Sequence, residues 1–138
     1  MYSLQKAKRL EDGVWVEGSF KKQLDGEVVE RDTICSFIGM VDRNGEKIWE
    51  HDLVKDRYGS VFLVCWNPVQ YAYYGILLKQ KNGKQVQGCF RMGAFRFSDL
   101  EWMGSILDQE SVEGRWIAYF SQWICRLAFH GRLQKKLF

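Results

Sequence analysis

Residues 37–55 read FIGMVDRNGEKIWEHDLVK, two apolar runs on either side of Asn44-Gly45. That dipeptide adopts positive φ at little cost, so the segment folds back on itself as a β-hairpin. Asp12-Gly13, Asp25-Gly26 and Asn82-Gly83 give the same signal elsewhere in the chain. Turn dipeptides at this spacing describe an antiparallel meander.

Between the turns, residues 14–20, 33–40, 47–55, 60–66, 71–78, 85–90 and 102–107 are rich in β-branched and aromatic side chains and read as strands. Alternation in the first of these sets Val14, Val16 and Phe20 on one face and Trp15, Glu17 and Ser19 on the other. Residues 60–66, SVFLVCW, form an unbroken apolar run that suits a strand buried on both faces. Tyr71, Tyr73, Ile76 and Leu78 supply its partner, with Asn67-Pro68 breaking the chain between the two. The expected fold is mainly β, a small antiparallel SH3-like barrel or a pair of twisted sheets.

After Ser111 the apolar period changes from two to about 3.6. At about 100° per residue, Val112, Trp116, Ile117, Phe120, Trp123, Ile124 and Leu127 fall within one arc, the pattern of an amphipathic helix. Ser111 can cap its start and Glu113 lies in its first turn. The division is therefore a β domain over residues 1–110, followed by a C-terminal amphipathic helix and basic tail over residues 111–138. The apolar part of that helix is shorter than the roughly 20 residues a bilayer crossing needs, so no membrane association is expected.

The chain has 138 residues, 46% apolar and 27% charged, values of a folded single domain. Its net charge of +3 is carried at the C-terminus, where residues 111–138 hold five basic side chains against one acidic. Five scattered cations fall short of the dense stripe of a dedicated nucleic-acid binder. No basic start leads into an apolar run, so no secretory leader is expected and the location reads as cytoplasmic. The cysteines, Cys35, Cys65, Cys89 and Cys125, include no C-x-x-C pair and read as buried, reduced thiols.

The hairpin segment resembles the core of the YopX-like proteins of bacterial prophages. Phe37, Gly39, Met40, Asp42, Asn44 and Gly45 match an aromatic-Thr-Gly-apolar-x-Asp-x-Asn-Gly pattern in which Ile38 replaces the Thr. Ile48, Trp49, Glu50, His51, Asp52, Leu53 and Val54 follow its Ile-Tyr-Glu-Gly-Asp-Ile-Val-like tail. Residues 102–107 resemble the family's closing strand, with Ser105 in place of an Asn. The resemblance covers residues 33–108; residues 1–10 hold no clear copy of the family's basic-aromatic opening strand. It implies a cytoplasmic protein of a prophage or other mobile element, and the family brings no established biochemical activity with it.

His51 stands where the family has Gly, so it either adopts positive φ or changes the turn. Asp52 is placed to accept backbone N–H bonds from a neighbouring turn and reads as structural. An enzymatic reading would rest on His51, Asp52 and Glu50, but no nucleophile elbow, phosphate loop, dinucleotide fingerprint or His-Glu-x-x-His helix accompanies them. With His51 and His130 as the only histidines, neither a metal site nor a cofactor is expected.

Two binding readings remain. Trp116, Phe120, Trp123 and Leu127 present too much apolar surface for water, so they cover the β domain or meet a second subunit or another phage or host protein. Alternatively Arg126, Arg132, Lys135 and Lys136 contact nucleic acid, aided by Trp66, Tyr71, Tyr73, Tyr74, Arg91, Phe95, Arg96 and Phe97 as rings beside cations. For those rings, core packing is the competing assignment. A non-enzymatic interaction or assembly module is the leading expectation, and a weak nucleic-acid binder the alternative.

Overall fold

A computed structural model describes residues 4–19, 28–79 and 88–108. The expected amphipathic helix, with Trp116, Phe120, Trp123 and Leu127, and the basic set Arg126, Arg132, Lys135 and Lys136 lie outside the described residues, as do the Asp25-Gly26 and Asn82-Gly83 turns.

The described chain is mainly β: β1 (Gln5–Lys8), β2 (Trp15–Gly18), β3 (Cys35–Val41), β4 (Lys47–Trp49), β5 (Asp52–Lys55), β6 (Val61–Asn67), β7 (Ala72–Lys79), β8 (Cys89–Arg91) and β9 (Glu101–Ser105). These make two antiparallel sheets, ordered β2-β1-β3-β4 and β8-β7-β6-β5-β9. They wrap toward a barrel without closing one. Where β4 approaches β9, the bonds are Arg43 N–H to the Leu100 carbonyl at 3.0 Å and Trp102 N–H to the Asp42 side chain at 2.8 Å, in place of a paired ladder. Among the described residues the only helical elements are three-residue 3₁₀ turns, and no helix is long and apolar enough to cross a membrane.

The SVFLVCW run does form the central strand, and β6 is packed on both faces. Leu63 and Cys65 face a core with Cys35, Trp49, Leu53, Ile76, Ile106 and Leu107. Phe62 and Val64 face a second with Ile48, Val54, Leu77, Met92 and Leu100. A strand with two apolar environments has no polar face, which is why its sequence shows no alternation. Truncating a fully buried Leu63 to alanine costs about 2–5 kcal/mol.

Three local expectations are revised. Residues 47–55 are two strands, because the chain turns a corner at Glu50-His51 and passes from one sheet to the other. In β2 the inward residue is Trp15, packed against the first core, while Val14 is 49% exposed. Trp15 pairs with Lys8 of β1, and Lys6 of that strand is itself buried, so the inner face there is built from a ring and lysine stems. Third, Cys35 and Cys89 are free, but Cys65 is disulfide-bonded, against the expectation of four reduced thiols. Burial pushes both free thiols up, away from the reactive thiolate.

Candidate functional site

The corner between the sheets gathers the buried polar side chains of Lys6, His51, Asp52 and Ser105. His51 takes the first of its two alternatives and sits at φ 69°. Its N–H donates to the Val64 carbonyl at 2.9 Å and its own carbonyl accepts Ile106 N–H at 2.8 Å, so one residue ties β6 to the end of β9. Those two bonds hold a non-glycine residue in the left-handed region. Burial lowers its pKa to about 4, leaving the imidazole neutral at pH 7.

Asp52 follows, fully buried. Its Oδ2 accepts Trp49 N–H at 2.8 Å and the Trp102 indole Nε1–H at 2.9 Å. The backbone bond expected of it is present. Its Oδ1 has no hydrogen-bond partner and faces Lys6 Nζ at 3.9 Å. That ammonium lies 4.4 Å from the Trp15 ring centre and 5.3 Å from that of Trp49. Two indoles and a carboxylate thus replace the water that a buried lysine gives up. Burial pushes the Asp52 pKa up to about 7, against the opposing pull of Lys6 and the two N–H donors. The ion pair and the raised pKa point in opposite directions; with 3.9 Å between the charged groups, desolvation prevails.

The network continues outward. Trp15 Nε1–H donates to Asp108 at 2.8 Å, and Lys8 Nζ pairs with the same carboxylate at 2.8 Å while donating to the Leu107 carbonyl at 3.0 Å. Ser105, the closing-strand substitution, accepts Leu107 N–H on Oγ at 3.1 Å and so starts the final turn.

The other motif carboxylate, Asp42, is also an anchor. Its Oδ1 accepts Asn44 and Glu46 N–H at 2.8 and 2.9 Å, closing the hairpin turn, and its Oδ2 accepts Trp102 N–H at 2.8 Å. Although burial works against ionisation, the three backbone donors, Trp102 foremost, hold its pKa below the usual value. Asp42 and Asp52 therefore grip one residue, Trp102, by its backbone and by its indole. The two aspartates of the motif join β9 to the hairpin and to the corner, and both are consumed in that work.

Glu50 differs. Its N–H donates to the Ser36 carbonyl at 2.9 Å, but among the described residues no hydrogen bond or ion pair reaches its half-buried carboxylate. Burial raises its pKa. No group of three or more His, Cys, Asp and Glu side chains placed to hold a metal ion occurs among the described residues.

The rings proposed beside cations do not share one surface. Phe95 packs with Phe62 and Phe90 on the second core. Tyr74 pairs with Arg91, whose Nε–H donates to its hydroxyl at 3.2 Å, on the opposite face of β7 from Tyr73. Trp66, Tyr71 and Tyr73 do stay together, with Trp66 4.8 Å from Tyr73 and 6.3 Å from Tyr71 between ring centres. Sequence reasoning missed Lys6, Trp15, Trp49 and Trp102 as members of the buried network. The signal available for Lys6 was slight, a lysine in a short alternating run beside an alanine.

The family model described as YopX protein matches residues 2–110. The chain belongs to that family, a phage-type one, and the match begins before β1, so the N-terminal strand is part of the family fold and not an addition to it. None of the curated proteins compared with the chain matches it.

Proposed function

We propose that this protein is a non-enzymatic interaction or assembly module of a prophage or other mobile element, working in the cytoplasm. The observation that carries the reading is the use made of the motif carboxylates: Asp42 and Asp52 are buried and spent on Trp102 and nearby backbone N–H groups, a scaffold's use of a carboxylate. The stripe Trp116, Phe120, Trp123 and Leu127 is the assembly element of this reading. Light scattering on a size-exclusion column, run on the full chain and on a chain ending at Glu110, tests it. A defined oligomer that becomes a soluble monomer on truncation is expected; a monomeric full chain whose truncation aggregates would sink the assembly role.

The second reading, a weak nucleic-acid binder using Arg126, Arg132, Lys135 and Lys136, draws support from Arg91 beside Tyr74, a ring and cation held together at an exposed position. Under it, a labelled single-stranded oligonucleotide binds at low ionic strength and is released steeply by salt. No shift at low salt removes it.

A further inference from the structure

We infer that Lys6 and Asp52 close an isopeptide bond with each other once the chain has folded, a self-catalysed cross-link between the two sheets. The inference goes beyond the interaction reading and does not depend on it.

Lys6 is on β1 in the first sheet and Asp52 on β5 in the second, so packing, not strand pairing, brings them together. Their side chains are 9% and 0% exposed, and Lys6 Nζ lies 3.9 Å from Asp52 Oδ1. The two carboxylate oxygens have unequal surroundings. Oδ2 accepts the Trp49 backbone N–H at 2.8 Å and the Trp102 indole N–H at 2.9 Å, whereas the buried Oδ1 has no hydrogen-bond partner among the described residues. A structural ion pair at this depth satisfies both oxygens; here the one that faces the lysine is left over.

That asymmetry suits acyl transfer. Two N–H donors on Oδ2 draw electron density from Cγ and hold the negative charge that gathers on this oxygen when an amine adds, as an oxyanion hole does. Oδ1, free of donors, is the oxygen that takes a proton and leaves. Burial, which pushes Asp52 up to about 7, keeps its protonated form available near neutral pH. The Trp15 and Trp49 rings, with centres 4.4 and 5.3 Å from Nζ, hold the lysine beside the carboxyl and keep water from competing.

The step balances within the pair. The Lys6 ammonium passes one proton to Oδ1, which replaces two buried charges by a neutral amine and a neutral acid. The amine lone pair adds to Cγ and the C=O electrons move onto Oδ2. A second proton then goes from Nζ to Oδ1, the Cγ–Oδ1 bond breaks, and water leaves behind a secondary amide. Reacting atoms have to come within about 3–3.5 Å, so the lysine stem swings inward first. Closure is therefore slower than folding, and the freshly folded chain carries the open pair.

Intact-mass spectrometry of the full chain, fresh and after a week at neutral pH, tests the bond. The stored chain is expected to be lighter by one water, and a chain stored unfolded in guanidinium chloride to keep its full mass. Asp12-Gly13 and Asp25-Gly26 also lose water when they form succinimides, so a tryptic digest locates the change. The bond blocks cleavage at Lys6 and yields a branched peptide joining Lys6 to Asp52. Lys6→Arg, which keeps the charge without the nucleophilic amine, forms none. Trp102→Phe, which keeps a ring and removes one donor from Oδ2, forms it about tenfold more slowly or worse, and keeps the test decisive if Lys6→Arg does not fold. Full mass after storage, loss of water without the branched peptide, equal closure in the unfolded chain or an unchanged rate in Trp102→Phe overturns the proposal. Oligomeric state is read separately, so the assembly role and this bond can fail independently.

Discussion

The turns at residues 42–46 and 56–60 share a sequence, Asp-Arg-x-Gly-x, and share every local hydrogen bond. In each, the Asp N–H donates to the carbonyl of the fifth residue, at 2.8 and 3.0 Å, and the Gly N–H to the Asp carbonyl at 3.1 Å in both. In each, Asp Oδ1 accepts the third and fifth N–H groups at 2.8–2.9 Å. Gly45 and Gly59 sit at φ 82° and 85°. They part company at the other carboxylate oxygen. Asp42 Oδ2 accepts Trp102 N–H from β9 and is buried, whereas among the described residues no such partner from another strand is bonded to Asp56, whose neighbour Tyr58 is 62% exposed. A five-residue pattern specifies a turn; the strand that arrives beside it specifies whether the turn holds the molecule together.

The tertiary half of that contrast is broken most severely at Asp52, the second carboxylate on Trp102. Asp52→Ala leaves Lys6 buried without its counter-charge and strips an acceptor from Trp49 and Trp102, so a loss of about 3–5 kcal/mol is expected in urea unfolding. A loss under 1 kcal/mol would mean that Lys6 is satisfied by the indoles alone. The direct comparison is Asp42→Ala against Asp56→Ala. Three part-buried bonds lose their acceptor in the first, one of them from another strand, and one part-buried and one exposed bond in the second, so about 3 kcal/mol against about 1 kcal/mol is expected. Equal losses would show that the bond to Trp102 adds nothing.

A pH series sharpens the account of the corner. Asp52 titrates near 7 in the fold against an ordinary 3.8, so the folded chain holds the extra proton and this group's contribution falls as pH rises from about 4 to about 7. His51 titrates near 4 against an ordinary 6.5, so the unfolded chain holds the extra proton and its contribution rises with pH from about 4 to about 6.5. The slopes oppose and nearly cancel in the native protein. Urea midpoints measured every half unit should therefore reveal Asp52's fall in His51→Gly and His51's rise in Asp52→Asn. The same profile in both variants would show that neither residue of the pair sets the pH response. The smallest effects test the shared half of the comparison: Gly45→Ala and Gly59→Ala should cost the same, about 1 kcal/mol each, because both remove the same φ freedom. A clear difference would mean that the turns are less alike than their bonds.

Much of this was legible in the residues. Asp12-Gly13 and Asn44-Gly45 do close hairpins, SVFLVCW is the doubly buried strand, His51 does adopt positive φ and Asp52 does accept a backbone N–H. The turn at residues 56–60 was missed because Tyr58 stands where Asn44 completes the familiar Asn-Gly dipeptide, although the repeated Asp-Arg-x-Gly was there to be read. The corner at Glu50 was hidden because residues 47–55 keep a strand's composition through it. Lys6 was unreadable by pattern: alternation sends charge outward, and only Trp15, Trp49 and Asp52, arriving from three other strands, make an inward lysine tolerable.

The sequence by itself determined the turns, the central strand and the mainly β character, because each depends on contacts within a few residues: a glycine's φ, an aspartate's reach to the next N–H groups, the period of apolar side chains. Only the tertiary structure decided that Asp42 and Asp52 meet on Trp102, that Lys6 turns inward, and that His51 ties β6 to the end of β9. Those pairings join residues from distant parts of the chain, and their energies come from desolvation, which depends on what packs around a group and is not written next to it in the chain.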